Sequence, residues 1–230
     1  MSSSSTSTRL ARDVRAHIPE AAGIPSIVTL PSAHAAIWQR AAPHLAVRNN
    51  DSHTLYAYGI ARALVARISL RAPEVDGEVA LSAILLHDTG WSTVPEAEIL
   101  EAIAPGGGRP DLVRRHELEG ARIARETLSA LGHPEGFVDR VVQIVDGHDS
   151  RPHALSIEDA IVKDADKIWR VTPHGLGIVS GWFSLTASES LRITAARVQD
   201  ALCTDEGRAM AGAFIAAASI DLLPERAGLV

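Results

Sequence analysis

The stretch ALSAILLHDTGW, residues 80–91, decides how the chain is read. Ala80, Ala83, Ile84 and His87 recur at helical spacing on one face of a helix beginning near Glu74, so the imidazole continues an apolar stripe. Thr89-Gly90 is expected to end that helix, glycine being a common terminator. His87 and Asp88 therefore close an apolar rod at its inner end. A carboxylate in such a place is costly unless a positive charge meets it.

Helical periodicity continues on both sides. Upstream, Asp51 is expected to cap a helix running to about Ser69, in which His53, Ala57, Ile60, Leu64 and Ile68 form the inward stripe. Downstream, a short helix follows Pro95, and APGGGRP (104–110) has the Gly/Pro density of a surface loop. Without a GK[ST] ending, those glycines are no phosphate loop. Asp111 is expected to cap a helix to Leu131 on which His116, Gly120 and Ile123 share a face. A helix from Pro134 to about Gly147 places Val141, Ile144 and Val145 on the side that presents His148. Ser156 opens a helix through Arg170, with Val162, Asp166 and Trp169 at i, i+4 and i+7 and Ala165 beside them. The rest, to about Leu223, reads as two or three Ala-rich packing helices. With no alternating strand, no internal repeat and no dividing linker, the expectation is an all-α fold: one helical domain over residues 9–230 behind a disordered tail at residues 1–8.

Bulk properties narrow the function. A chain of 230 residues fits one domain, and 46% hydrophobic with 22% charged residues excludes a disordered or collagen-like protein. A net charge of −6 gives no general reason to bind a nucleic acid duplex. Cys203 is the single cysteine, which excludes an internal disulfide, a zinc ribbon and a CxxC pair. The longest apolar stretch, Ala209–Leu223, is interrupted by Ser219 and Asp221 and falls short of the roughly 18–20 residues that span a bilayer. The opening MSSSSTSTRLARDVR lacks the apolar core of a secretory signal. A cytoplasmic protein with no membrane partner is expected, its oligomeric state left open.

Five helices thus each deliver a metal-competent side chain from an apolar stripe or its end: His53, His87 with Asp88, His116, His148 and Asp166. A core metal site explains that coincidence, and imidazole with carboxylate suits Mn, Fe, Co, Ni or Zn rather than thiol-loving metals.

His53, then His87-Asp88, then Asp166 within IVKDADK (161–167) resembles the H…HD…D signature of the HD-domain superfamily of metal-dependent enzymes, over roughly residues 50–172. The family's last motif is typically Ala-Asp followed by a basic residue, which implies Asp166 rather than Asp164 as a ligand. His116 in RRHELEGA and His148 in VDGHDSR resemble the extra histidines of the two-metal subset. The resemblance implies an HD-type helical bundle in which His53, His87, Asp88 and Asp166 hold one ion and His116 and His148 a second. Asp88 would bridge the two as the central catalytic carboxylate. The implied cofactors are two divalent ions, Mn, Fe, Co, Ni or Mg. Such a pair, about 3.5–4 Å apart, activates water and clamps the attacking and leaving oxygens of a phosphoryl transfer. Lys167 and Arg170, at i+1 and i+4 from Asp166, join Lys163, Arg114, Arg115 and Arg151 as candidates for holding a small anionic substrate.

Two activities follow from the resemblance. The first is a metal-dependent phosphohydrolase acting on a phosphomonoester or nucleotide. The single-metal nucleotidase branch commonly places Glu soon after HD, whereas Asp88 is followed here by Thr89, Gly90, Trp91 and Ser92. The alternative is a mixed-valence di-iron oxygenase that cleaves a carbon-carbon or carbon-phosphorus bond with O₂, as in inositol oxygenase and a phosphonate oxygenase. HELEGA and the His148 motif are similar to that branch, but the phosphonate enzyme's Tyr and Glu lid has no counterpart before His53, the first tyrosine being Tyr56. Asp149-Ser150-Arg151 after His148 lacks the signature of a GYP-type cyclic-dinucleotide phosphodiesterase, and a ligand sensor would need a missing ligand. Elsewhere, His17, His34, His44, His133, His153 and His174 are read as mostly solvated. Asp164 is read as a surface carboxylate, Trp91 and Trp169 as packing residues, and Cys203 as a small buried hydrophobe.

Overall fold

Val79 through Leu86 form the innermost rod of the molecule, every residue buried, as a helix apolar all round must be. In the computed structural model, which describes residues 18–19, 29–106, 108–223 and 227–228, this rod belongs to α3 (Gly77–Leu86). Before it come α1 (Ser32–Leu45) and α2 (Asn50–Ile68). After it come a 3₁₀ turn (Thr89–Thr93), α4 (Glu96–Ile103), α5 (Pro110–Ala130), α6 (Glu135–Val145) and α7 (Ile157–Trp169). The chain closes with α8 (Pro173–Phe183), α9 (Ala187–Gln199) and α10 (Asp205–Asp221). The protein is all-α, with no strand among the described residues. No helix of those residues is long and apolar enough to cross a membrane. The tail expected at residues 1–8 lies outside the described residues, as does His17.

α1, α2, α6 and α7 pack around α3. Leu64, Ile68, Ile84, Leu85, Ile161 and Ile168 meet there at zero exposure, each contributing about 1.5–3 kcal/mol by leaving water. Trp91, Val94, Ile99 and Leu112 make a smaller apolar cluster between the 3₁₀ turn, α4 and α5. α8 packs on α9, and α10 packs across α7 and α9.

Helix starts follow local chemistry, with corrections to two expected caps. Ser156 caps α7 as expected, its Oγ accepting from Asp159 N at 3.3 Å. α2 instead begins after Asn49, which lies in the left-handed region at φ 63°, and Asp51 falls in the first turn. α5 begins at Pro110, whose missing N–H costs nothing at N1; Asp111 is engaged by the Arg109 guanidinium at 3.0 and 2.9 Å. Thr89-Gly90 is likewise no left-handed terminator, since α3 closes on His87 in a right-handed conformation.

Gly90 serves close approach instead. A Cβ there would lie 1.8 Å from the His116 carbonyl oxygen and 2.6 Å from Gly120 N. The bare glycine lets α5 press against the 3₁₀ turn, which sets the depth of His116.

Asp164 contradicts the surface reading. It is fully buried on α7 and accepts from Cys203 N at 2.6 Å, Thr204 N at 2.9 Å and Thr204 Oγ1 at 2.6 Å, tying down the start of α10. Cys203 is exposed, not buried. His34 is also buried, between Tyr58 Oη at 2.8 Å and Glu78 Oε2 at 3.1 Å. Asp164→Ala strands three donors, and a loss of about 2–3 kcal/mol of folding stability is expected. Urea denaturation with unchanged m checks this; a loss below about 0.5 kcal/mol would show that water replaces the carboxylate.

Candidate metal centre

Six side chains from five separate segments converge at the end of α3. His53 comes from the first turn of α2, His87 and Asp88 from the exit of α3, and His116 from the second turn of α5. His148 comes from the turn after α6 and Asp166 from α7. All six are buried. His53 Nε2 lies 3.1 Å from His87 Nε2, 3.3 Å from Asp88 Oδ2 and 3.4 Å from Asp166 Oδ1. His116 Nε2 lies 3.4 Å from His148 Nε2, and these two stand 3.9 and 3.6 Å from Asp88 Oδ1. Asp88 thus offers one oxygen to each imidazole pair.

The spacing suits cation ligands. Two nitrogens bound to one ion at about 2.1 Å, with ligand angles of about 90–109°, stand roughly 3.0–3.4 Å apart. The tautomers agree. His87 donates from Nδ1 to Ile84 O at 2.7 Å and His148 from Nδ1 to Val145 O at 2.9 Å. Each therefore turns a lone pair inward from Nε2. His53 and His116 have no Nδ1 partner among the described residues and are set by aromatic faces instead. His116 stacks on Trp91 at 3.9 Å, and His53 meets Trp169 edge-on at 4.5 Å. Trp91 also donates from Nε1 to Asp88 Oδ1 at 3.1 Å. Both tryptophans pack in the apolar clusters, as expected, and each also touches a donor imidazole and lines the cavity over the donor cluster.

Titration follows the same pairing. Burial drives His87 down to about 4, while His53, also buried, is lifted by hydrogen bonding to Asp166 and Asp88. In the second pair burial and then His148 lower His116. Burial opposes the charge on His148, but Asp149 and Asp88 outweigh it and raise that group to about 9. In each pair one imidazole is shifted up and its partner down. Asp88 and Asp166 resist the upward push of burial. His87 leads the groups that hold Asp88 well below the usual carboxylate range, and Arg170 leads those acting on Asp166.

Asp149 has no role in the sequence reading, yet its Oδ2 lies 3.5 Å from His116 Nε2 and 3.8 Å from His148 Nε2. His116, His148 and Asp149 could hold an ion, as could His53, His87 and Asp166, or His87, Asp88 and His148. The signal was present, because His148-Asp149 repeats the dipeptide His87-Asp88. Glu117 was also passed over. It is fully buried and accepts from Asp149 N at 3.0 Å, Ser150 N at 2.7 Å and Ser150 Oγ at 2.7 Å, holding the loop that carries His148.

The expected substrate-holding cations divide. Lys167 and Arg170 line a cavity of about 360 Å³ that opens over His53, Asp88 and Asp166. Arg170 also grips Asp166 Oδ2 at 3.2 Å, leaving Oδ1 for the histidines. Arg115 and Arg151 do not line that cavity. Arg115 donates to Thr93 O, and Arg151 binds Asp159 Oδ2 at 2.9 Å and Gln143 O at 2.9 Å. Lys163 is buried and donates to the carbonyls of Gly147, His148 and Arg151 at 3.1, 2.6 and 2.9 Å, and Arg114 pairs with Glu117 and Asp146. Lys163, Arg151 and Arg114, which read as substrate clamps in sequence, brace the ligand loop instead, and Arg115 holds the 3₁₀ turn.

The HD domain family model matches residues 50–170, which span the whole donor cluster from His53 to Asp166. The chain belongs to the HD domain family. No curated protein and no solved structure matches it. HD domains are generally metal-dependent hydrolases that bind divalent metals, and this one has buried His/Asp groups able to hold them.

Stripped of metal, this HD domain is expected to be most stable near pH 6.5. His148, raised to about 9, contributes stability that is present below its unfolded pKa of about 6.5 and is lost as pH rises through 9. His87, lowered to about 4, binds its proton in the unfolded chain first, so stability also falls as pH drops from about 6.5 toward 4. Urea midpoints of chelator-treated protein across that range test this, and a flat profile from pH 6.5 to 9 would contradict the upward shift of His148.

Proposed function

We propose that this HD domain hydrolyses a small phosphate monoester at a two-ion centre held by His53, His87, Asp88, His116, His148 and Asp166. The observation that carries the reading is Asp88, whose Oδ2 faces the His53–His87 pair while its Oδ1 faces the His116–His148 pair. A carboxylate split between two sets of inward lone pairs fits two cations sharing one bridging ligand. Asp149 stands exposed at the cavity edge beside the second set.

When bound, divalent cations supply positive charge to a phosphoryl group and acidify a water between them. The protein's own residues do the rest. Asp88, oriented by Trp91 Nε1, sets the spacing of the two sets. Arg170 turns Asp166 so that one oxygen faces His53. Lys167 and Arg170 place fixed positive charge on the cavity wall, where an anionic ester would lie within reach of both sets. Asp149 Oδ2, beside His116 and His148, is the acceptor positioned to take a proton from a water in the cavity.

Anaerobically purified protein is expected to carry two equivalents of divalent metal and to release phosphate from phenyl phosphate or another monoester without oxygen. Two bound irons with O₂ consumption and no phosphate release would replace this reading with the oxidative one. His116→Ala is expected to keep the fold and one ion. Asp88→Ala, which removes a ligand from both sets, is expected to weaken total metal binding by more than about a hundredfold. Elemental analysis after dialysis distinguishes the two variants.

A further inference from the structure

Arg48 lies two residues before α2, in the segment that links it to α1. Its backbone is in the left-handed region at φ 49°, and Asn49 follows at φ 63°. Two consecutive non-glycine residues in that conformation are strained, and such strain persists where surrounding structure holds a side chain in a required place. The place is the cavity over the donor cluster. The Arg48 guanidinium carbon lies 4.1 Å from the centre of the Trp182 ring. Its Nε and Nη1 are buried and lack a hydrogen-bond acceptor among the described residues. Asn50, two residues on and 3% exposed, also lines the cavity and leaves Nδ2 without a partner. Buried guanidinium donors without acceptors are expensive unless a ligand supplies the oxygens.

The wall formed by α8 and α9 is largely apolar. Val179, Trp182 and Phe183 from α8 and Ile193 and Val198 from α9 line it, and its charged member, Arg197, donates to Ile103 O at 3.4 Å. The hydroxyl of Thr194, also on that wall, already donates to Ser190 O at 2.7 Å. A polyhydroxylated group would find few partners there, whereas a flat apolar one would be covered.

We infer that Arg48, with Asn50, is the anion anchor of the substrate site, and that the substrate is a small phosphate monoester whose organic part is apolar or aromatic and lies against Trp182 and Phe183. This rests on the hydrolase reading above. The strained turn aims a planar fork at phosphoryl oxygens, and Trp182 beneath it fixes the plane of the fork while offering its remaining surface to the organic group.

The test uses manganese-loaded protein with two probes that are not turned over, inorganic phosphate and phenylphosphonate, titrated by calorimetry. Wild type is expected to bind phenylphosphonate more tightly than phosphate, and to turn over phenyl phosphate with a higher kcat/KM than glycerol phosphate. Arg48→Gln is expected to weaken both probes by roughly tenfold to a hundredfold at unchanged metal content. Arg48→Lys, which keeps the charge without the fork, should recover only part, and it serves as the readout should the glutamine variant fail to fold. Trp182→Leu should weaken phenylphosphonate selectively. Arg48 variants that bind both probes like wild type, with metal content intact, would overturn the anchor, and equal preference for glycerol phosphate would overturn the apolar substrate class. In either case phosphate release by wild type would leave the hydrolase reading standing. Absence of phosphate release from every ester, by contrast, would remove that reading and this inference together.

Discussion

Asp88 is the constraint on which the rest of the structure depends. A single buried carboxylate stands between two pairs of imidazoles whose inner nitrogens are 3.1 and 3.4 Å apart. Neither pair tolerates that approach with both lone pairs bare, so each requires a proton or a cation between its members. The fully buried rod Val79–Leu86 ends where this charge must be placed, and the surrounding elements keep it there. Trp91 fixes the carboxylate from one side, and the bare Gly90 backbone lets α5 bring His116 close enough to face it. Apolar burial stabilises the rods, and their ends are arranged around an electrostatic demand.

Much of this was legible because helical period and donor chemistry coincide. His53, His116 and Asp166 lie on apolar stripes, so the spacing that buries their neighbours also turns them inward. What escaped lies off that period. Asp149 follows a turn, Arg48 sits in a two-residue left-handed bend, and neither position carries a hydrophobic repeat to mark it. Asp164 was misread because its partners, Cys203 and Thr204, are about forty positions away and belong to another helix. Gly90 looked like a terminator because a close backbone approach leaves no mark on the local sequence.

The misassigned basic residues show why charge alone is a poor guide. Lys163 and Arg151 carry the same formal charge as Lys167 and Arg170, and all four lie within a short span of chain. Lys163, one helical turn before Lys167, and Arg151, in the loop before α7, reach backbone carbonyls around Gly147, whereas Lys167 and Arg170 line the cavity. Glu117 complements them from α5, so the segment carrying His148 and Asp149 is clamped from two directions. That rigidity matters because a ligand displaced by an ångström no longer shares a centre with its partners.

The cavity is built from two sources. Its donor floor comes from residues within the HD domain span of 50–170, whereas the largely apolar wall from Val179 to Val198, which also carries Thr194 and Arg197, lies in helices beyond that span. Substitutions in α8 and α9 can therefore reshape what the protein accepts without disturbing the atoms that do chemistry. A lineage carrying this arrangement is free to change its diet through its C-terminal third while inheriting the same reactive centre unaltered.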